Sequence, residues 1–161
     1  MFSSRLIACL CTVTATGLLF AFPTTAADPQ TVIHSHMSVT KTAGNRTFTG
    51  NVTTAAAFKQ TEPATLYGAL VHFDAGARTY WHRHPLGQTL VVTKGVGLTQ
   101  TRGGKIVQIK VGDIVVCPPN VEHWHGAAHD AEMEHLAISE RHPSEKVTWL
   151  EAVSDKDYNA K

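Results

Sequence analysis

The hydrophobic and polar positions from residue 66 onward fall into short apolar or alternating runs, each closed by a turn signal. Such runs are typical of antiparallel β-strands, and a helical period of 3.6 residues is almost absent. Eight strands are predicted, at 66–73, 79–84, 88–93, 96–101, 106–111, 114–117, 123–128 and 133–139. Many short strands at this close spacing indicate an all-β, single-domain fold, either a barrel or a two-sheet jelly roll.

The turns between these runs carry glycine, proline or asparagine. Residues 102–105 are predicted to form a hairpin loop, because Gly103 and Gly104 supply the positive φ that such turns require. Turns are also expected at 112–113 and 118–120, and Lys94-Gly95 separates two of the predicted strands.

The start of the chain differs from this strand-rich part. A basic Arg5, an apolar run over 6–22 and small residues up to Ala27 are typical of a secretory signal peptide. The apolar run is shorter than the roughly 20 residues that a membrane-spanning helix needs. We therefore predict that residues 1–27 are a signal peptide and that the mature protein is secreted or periplasmic, without membrane association.

The chain after this predicted signal peptide is long enough for one ordinary domain and too short for two. Residues 28–64, rich in Thr and Ala, are predicted to be an N-terminal arm with one or two strands. Residues 65–145 form the predicted barrel core. Residues 146–161 form a C-terminal extension that could contain a strand or a short helix.

Charge and cysteine content narrow the possible partners. The chain has 14 Lys and Arg against 13 Asp and Glu, and removing Arg5 makes it neutral. A neutral chain has no field that attracts nucleic acid or an anionic membrane, so a small-molecule substrate is expected. Cys117 is the single cysteine after the signal peptide, so no intrachain disulfide is possible, and a buried structural thiol is expected.

Histidines supply the candidate chemistry, in motifs at 76–88 and 112–123. His82 and His84 are two residues apart on an extended segment, so both rings leave the same face of one strand. Together with His123 and the amide of Gln88 they give three imidazoles and one oxygen. This donor set indicates a transition-metal site, and it suits Mn, Fe, Co, Ni or Zn.

These two motifs resemble the paired motifs of the cupin superfamily, a small jelly-roll β-barrel. In that family the first motif supplies two histidines and an acidic residue, and the second supplies a third histidine. Gln88 stands where the acidic residue is usual. An amide leaves the charge of a divalent ion uncompensated by any ligand, which strengthens its Lewis acidity and weakens its retention.

A closer resemblance covers about 48–158. The strings at 76–90, His-Trp-His-Gly-Ala-Ala at 123–128 and Met-Glu-His-Leu-Ala-Ile at 133–138 are similar to bacterial manganese-dependent cupin hydroxynitrile lyases. Those enzymes cleave (R)-mandelonitrile-type cyanohydrins to an aldehyde and hydrogen cyanide. The resemblance favours manganese. The metal ligands it implies are His82, His84, Gln88 and His123, and the catalytic pocket residues are His125, His135 and Thr79.

Strand alternation supports some of these assignments independently. His125 shares a strand face with His123, so both rings point inward if one ligates an interior metal. His135 shares a face with Ser139, which stands where the lyase family has Gln. Thr79 is three residues before His82, on the opposite face by strict alternation. Its role depends on the resemblance and on a bend at the start of the strand.

Two further groups of residues are open to more than one interpretation. Ala69, Val71 and Phe73 alternate along one strand and form either an apolar pocket wall or ordinary core. Arg78 and Trp81 are expected to stabilise the barrel or a contact between subunits rather than to take part in chemistry.

The leading functional prediction is a metal-dependent lyase in which a neutral histidine takes the hydroxyl proton of the cyanohydrin. The alternatives are an iron-dependent cupin dioxygenase, an isomerase of a small carbonyl metabolite, or a non-catalytic secreted protein that binds metal or ligand. Single-domain cupins commonly pair through edge strands. A homo-oligomer, dimer or tetramer, is therefore expected.

Overall fold

The computed structural model describes residues 30–34, 41–44 and 46–160, so the predicted signal peptide lies outside the described residues. Twelve strands and one short helix form within these ranges, in which no helix is long and apolar enough to cross a membrane. In chain order the elements are β1 (Lys41–Thr42), β2 (Phe48–Thr49), β3 (Val52–Lys59), β4 (Leu66–Phe73), β5 (Arg78–Thr79), β6 (His82–Arg83), β7 (Gln88–Thr101), β8 (Val107–Lys110), β9 (Ile114–Cys117), β10 (His123–Ala127), β11 (Met133–Glu140), β12 (Thr148–Trp149) and α1 (Asp155–Tyr158).

The strands form one curled antiparallel sheet with the path β1-β3-β4-β11-β7-β10-β5-β2. Strand β7 belongs to both halves of it. The first part of β7 pairs with β9 and β11, and the second part pairs with β8 and β10. A sheet that turns about one shared long strand encloses an interior between its halves. The predicted all-β, single-domain jelly-roll barrel is confirmed.

Strand β7 also corrects one detail of the prediction, because the expected break at Lys94-Gly95 is absent. The strand runs without interruption through Gly95, which has φ of 71° and lies opposite Met133 of β11. The register between β7 and β11 shifts beside this point, and a Cβ on Gly95 would collide with the backbone of Glu132. The glycine therefore marks a bulge and a close backbone approach rather than a turn.

The two flanking segments hold more regular structure than the sequence indicated. Three strands, β1 to β3, lie within 28–64, where one or two were expected. Strand β3 pairs with β4 along most of its length, and Val52 at its start is buried in the core. The sheet therefore begins before residue 65. The C-terminal extension forms both a strand, β12, and a helix, α1, which Ser154 caps by accepting a hydrogen bond from the Asp157 amide.

Two apolar clusters fill the barrel and its C-terminal side. The larger cluster consists of Val52, Val71, Phe73, Ala77, Val92, Ile109, Ala127 and Met133. The smaller cluster consists of Trp81, Trp124, Val153 and Tyr158. Arg78 lies beside the smaller cluster, where its Nη2 donates to the carbonyl of Val153 at 3.0 Å and its guanidinium covers the ring of Tyr158. Arg78 thus has a barrel contact of the kind predicted.

Cys117 ends β9 and is buried, as predicted. Burial raises the pKa of its thiol to about 11, so the reactive thiolate is suppressed at neutral pH.

Candidate metal centre

The site is built where β6 and β10 pair. His82 of β6 lies directly opposite His123 of β10 in the antiparallel ladder. Directly paired residues point to the same face of a sheet, so both rings enter the barrel interior. His84 follows two residues after His82, and all three side chains are buried.

Thr79 reaches the same face because the strand carrying it contains an extra residue. Arg78 pairs with Gly126 and His82 pairs with His123, so four steps along one segment match three steps along β10. One residue between β5 and β6 is therefore bulged out, which cancels the opposite orientation expected from strict alternation. Thr79 is buried, and its Oγ1 accepts a hydrogen bond of 3.1 Å from the backbone N–H of His125.

The imidazole rings form one compact group. The ring centroid of His82 lies 4.3 Å from that of His123, 5.3 Å from that of His84 and 5.1 Å from that of His125. One ring nitrogen each of His82, His123 and His125 lies within 4.8 Å of the others. The structure thus places two predicted ligands, His82 and His123, in one group with His125. The third predicted histidine ligand, His84, is not in this group, although its ring centroid lies 6.0 Å from that of His123.

Hydrogen bonds to the backbone set the tautomers of two of these rings. Nδ1 of His82 lies 3.0 Å from the carbonyl oxygen of Tyr80, and Nδ1 of His123 lies 2.8 Å from that of Val121. A carbonyl oxygen can only accept, so each Nδ1 carries the hydrogen and each Nε2 keeps a lone pair. Backbone partners of this kind are what orient histidine ligands around a metal.

Gln88, the first residue of β7, completes the predicted set. Its Oε1 lies 3.3 Å from Nε2 of His123, and its amide also interacts with His82. With the tautomer above, a carbonyl oxygen and a nitrogen lone pair face each other across this gap. A cation shared between the two acceptors would stabilise that arrangement, so Gln88 and His123 have donor atoms placed to hold a divalent metal.

Burial keeps the histidines neutral. It lowers the pKa of His82 to about 3, with His123 adding to the effect, and it lowers the pKa of His84 to about 4. The pKa of His123 is lowered by the same cause. Neutral imidazole is the form that ligates metals, so no proton needs to be displaced at neutral pH.

A second histidine pair adjoins the metal-ligand candidates. Nε2 of His135, on β11, lies 3.0 Å from Nδ1 of His125, on β10. Their other nitrogens, Nε2 of His125 and Nδ1 of His135, are buried without a hydrogen-bonding partner on another residue. Leaving a buried polar atom unpaired costs about 1–3 kcal/mol, so this pair indicates a missing ligand beside it.

Comparison with known proteins agrees with this fold. Residues 69–139 match the family model described as a cupin domain. Over 111 residues the chain is 50% identical to an (R)-mandelonitrile lyase from Granulicella tundricola, covering 69% of this chain and 85% of that protein. The chain belongs to the cupin superfamily.

Solved cupin structures are similar to this chain in fold. A cupin-like protein from Thermotoga maritima is 41% identical, with a TM-score of 0.69 over 73% of this cupin and 89% of that chain. A cupin 2 conserved barrel domain protein from Rhodopseudomonas palustris is 16% identical, with a TM-score of 0.61 over 70% of this chain and 77% of that one. The second likeness concerns the fold alone.

The apolar wall predicted for this cupin lies beside the histidine pair. Phe73 contacts both rings, at 5.8 Å from the centroid of His125 and 5.4 Å from that of His135. Val71 lies opposite His135 in the β4–β11 ladder, and Ala69 packs against the same core. Phe73 therefore belongs to the core and also contacts the pocket histidines, whereas Val71 belongs to the core and Ala69 packs against it.

Ser139 lies opposite Gln88 in the β7–β11 ladder and is buried. Its hydroxyl is therefore close to the predicted metal ligands, and a serine leaves free volume that a glutamine would fill. Both residues line a cavity of about 180 Å³, which reaches Cys117 on the neighbouring strand.

Trp149, on β12, is a site residue that the sequence analysis did not single out. Its indole stacks on the ring of His82 with centroids 4.7 Å apart and an interplanar angle of 29°. Together with His84 it lines a cavity of about 550 Å³. No spacing rule connects residue 149 to residue 82, because their contact arises only from the pairing of β12 with β6.

Proposed function

We propose that this cupin is a metal-dependent lyase that cleaves a cyanohydrin into an aldehyde and hydrogen cyanide, and that catalyses the reverse addition. The observation that carries the proposal is the buried His125–His135 pair, in which one nitrogen of each ring has no hydrogen-bonding partner on another residue. A ring nitrogen of His125 lies within 4.8 Å of ring nitrogens of His82 and His123. The chain's 50% identity to an (R)-mandelonitrile lyase supports the same chemistry.

We assign the metal to His82, His84, His123 and Gln88. A bound divalent ion would supply Lewis acidity that stabilises negative charge on the substrate's oxygen or on cyanide. Manganese is the proposed ion, and Fe, Co, Ni or Zn could use the same donors. No carboxylate belongs to this set, so the protein itself leaves the charge of the ion available to an anion.

The histidine pair would accept the hydroxyl proton of the substrate and pass it to cyanide. Burial holds the pKa of His135 at about 4 and that of His125 well below its usual value, so both rings are neutral acceptors at neutral pH. We propose that one free ring nitrogen takes the hydroxyl proton while the O–H electron pair forms the C=O bond. The C–C bond breaks with its electrons leaving on cyanide, which then receives the proton.

The 3.0 Å contact within the pair suggests how the proton is held. A proton accepted at Nε2 of His125 can be balanced by moving the hydrogen between its Nδ1 and Nε2 of His135. The positive charge is then shared by two rings instead of being fixed on one buried imidazole. Thr79 would maintain this geometry through its bond to the His125 backbone.

Cyanide release from racemic mandelonitrile, measured above the spontaneous rate, tests the proposal. The manganese-loaded protein is expected to release cyanide, and His135→Gln is expected to keep its metal content while losing at least about 100-fold in rate. Unchanged activity in His135→Gln would remove the proton-transfer role. Oxygen uptake by the iron-loaded protein without cyanide release would instead identify an oxygenase.

We also propose that the protein acts after export, with residues 1–27 removed. The supporting observation is the basic, apolar and small-residue pattern of this segment. The mass of the protein recovered from the periplasm or medium tests it, because retention of residue 1 would contradict cleavage.

A homo-oligomer is the third proposal. Strand β9 exposes Ile114 and Val116, with 64% and 70% of their surfaces accessible, and a second copy would bury such apolar side chains. Light scattering of the wild type should give the mass of a dimer or tetramer. Val116→Lys should shift it toward the monomer, and a wild type that is monomeric at all concentrations would refute the proposal.

A further inference from the structure

The short strand β12 places an aromatic side chain against His82, one of the candidate metal ligands. Its two residues pair with β6, so that Trp149 lies opposite His82. Backbone bonds continue this contact on the far side, where the Leu150 amide donates to Trp81 at 2.8 Å and the Trp81 amide donates to Glu151 at 3.1 Å. The position of Trp149 is therefore fixed by the backbone and not by its own side chain.

The indole is neither ordinary core nor free surface. One side of it packs on His82, and its ring centroid lies 5.8 Å from that of Phe48. It still has 39% of its surface accessible. A large aromatic group that is half-covered by a site histidine and half-open is suited to contact a ligand.

The accessible part of Trp149 lines the cavity of about 550 Å³ that also contains His84. Val147 and Pro85 extend the apolar side of this cavity. Four charged residues also line it, Glu140, Arg141, Glu145 and Lys146. The cavity therefore combines a predicted metal ligand, apolar and aromatic side chains and charged groups in its lining, as expected of a small-molecule site.

We propose that Trp149 is a specificity-determining residue, forming the aromatic wall against which the aryl group of the substrate packs as it enters beside His84. The inference rests on the proposed lyase function, and it adds the residue that would favour aryl over non-aromatic substrates. Aromatic groups contact one another through offset or edge-to-face geometry, so an aryl ring needs only the open part of the indole.

Binding can be tested without turnover. The chain has three tryptophans, so the zinc-loaded protein gives three indole N–H signals in a ¹⁵N correlation spectrum, and Trp149→Phe assigns one by its loss. Benzaldehyde is expected to shift the Trp149 signal and to leave those of Trp81 and Trp124 in place. Cyclohexanecarbaldehyde, a non-aromatic probe of similar size, should shift it much less. Equal shifts by the two aldehydes, or no shift by either, would overturn the inference.

Steady-state kinetics with two cyanohydrins provide a second test. Trp149→Ala is expected to lower kcat/KM for mandelonitrile about tenfold, mainly through KM, and to lower that for the cyclohexyl cyanohydrin less than about twofold. Trp149→Phe should retain most of the aryl preference. Val111→Ala, which alters an exposed apolar residue away from the cavity, serves as the control with no change. An equal loss for both substrates in Trp149→Ala would contradict a specificity role.

The two proposals fail in different ways. A wild-type protein that binds benzaldehyde at Trp149 but releases no cyanide would refute the lyase function and keep the aromatic wall. Cyanide release with an unmoved Trp149 signal and an unaltered substrate ratio would refute the wall and keep the lyase function.

Discussion

Two buried clusters lie side by side in this barrel, one apolar and one made of imidazoles. Phe73 and Met133 in the first and His135 in the second are all fully buried. Phe73 belongs to the apolar cluster and contacts the ring of His135. The two clusters thus share strands, strand faces and degree of burial, and they differ only in chemistry.

Their energetics are opposite. Removing apolar surface from water stabilises the fold by about 25 cal/mol per Å², so the apolar cluster contributes to stability directly. The histidines lose hydration, and burial lowers the pKa of each of them. Burial alone therefore does not identify a core. A polar cluster retained beside an apolar one, with unpaired nitrogens, indicates a function that offsets its cost.

The largest expected effects come from one substitution in each cluster, which should change metal affinity in one case and stability in the other. His82→Ala removes the ligand candidate at the centre of the ring group, so metal affinity should fall at least about 100-fold, while the metal-free fold remains stable. Phe73→Ala should lower the free energy of unfolding by about 3–5 kcal/mol. Metal titration and urea unfolding of both variants measure this. A His82→Ala protein that binds metal normally would contradict the assignment.

The sequence predicted most of the barrel, because alternating runs and glycine-rich turns are local signals. Residues 66–73 and 114–117 form strands with the predicted bounds. The ligand candidates were found for the same reason, since His82 and His84 are two residues apart on an extended segment. Their convergence with His123 followed from the resemblance and from the paired motifs.

The features that sequence could not supply arise from pairing between distant segments. The bulge that turns Thr79 toward His125 exists only in the register of β5 and β6 against β10. The continuity of β7 through Gly95 depends on the close approach of β11. Trp149 reaches His82 only because the C-terminal extension returns to pair with β6.

The next largest expected effect is a loss of folding stability at low pH. In the metal-free folded protein the pKa is about 3 for His82 and about 4 for His84 and His135, against an ordinary value of 6.5. Between these values the unfolded chain binds more protons than the folded one, so stability falls as the pH drops. Urea unfolding should show a loss of at least about 3 kcal/mol from pH 6.5 to pH 4.

A variant isolates the contribution of the histidine cluster to this acid sensitivity. His135→Leu removes one buried titrating group, so its loss of stability over the same interval should be smaller than that of the wild type. Identical pH profiles for the two proteins would show that the cluster does not carry the effect. Val52→Ala, in the apolar cluster, should lower stability by the same amount at every pH.

A third substitution tests the close packing of β10 against β5. Gly126 of β10 lies against β5, and a Cβ there would come within 2.5 Å of the carbonyl oxygen of Ala77 and 2.6 Å of Cα of Arg78. Gly126→Ala should push β5 away from β10, lower stability by about 1–3 kcal/mol and weaken metal binding. Gly44→Ala, with no atom within 4 Å of the added Cβ, is the control. Normal stability and metal affinity in Gly126→Ala would contradict the close packing.

The smallest expected effects are on stability and on the rate of cyanide release, when two buried threonines are replaced in turn. Both threonines hydrogen-bond to adjacent backbone groups of β10. Thr79 accepts from the His125 amide, and Thr99 donates to the carbonyl of Trp124 at 2.9 Å. Replacing either by Val should lower stability by about 1 kcal/mol. Only Thr79→Val should also lower the rate of cyanide release, because the hydrogen bond of Thr79 is to His125, a member of the histidine pair, whereas that of Thr99 is to Trp124. Equal rates in the two variants would make Thr79 purely structural.

The central claim is that the imidazole cluster is a metal centre with lyase chemistry. Its most direct test measures metal content and cyanide release together, across preparations loaded to different extents with Mn²⁺. Release is expected to rise in proportion to bound metal in the wild type, to disappear with the metal in His82→Ala, and to fall in His135→Ala at full metal occupancy. Release that is independent of metal content, or absent from the fully loaded wild type, would contradict it.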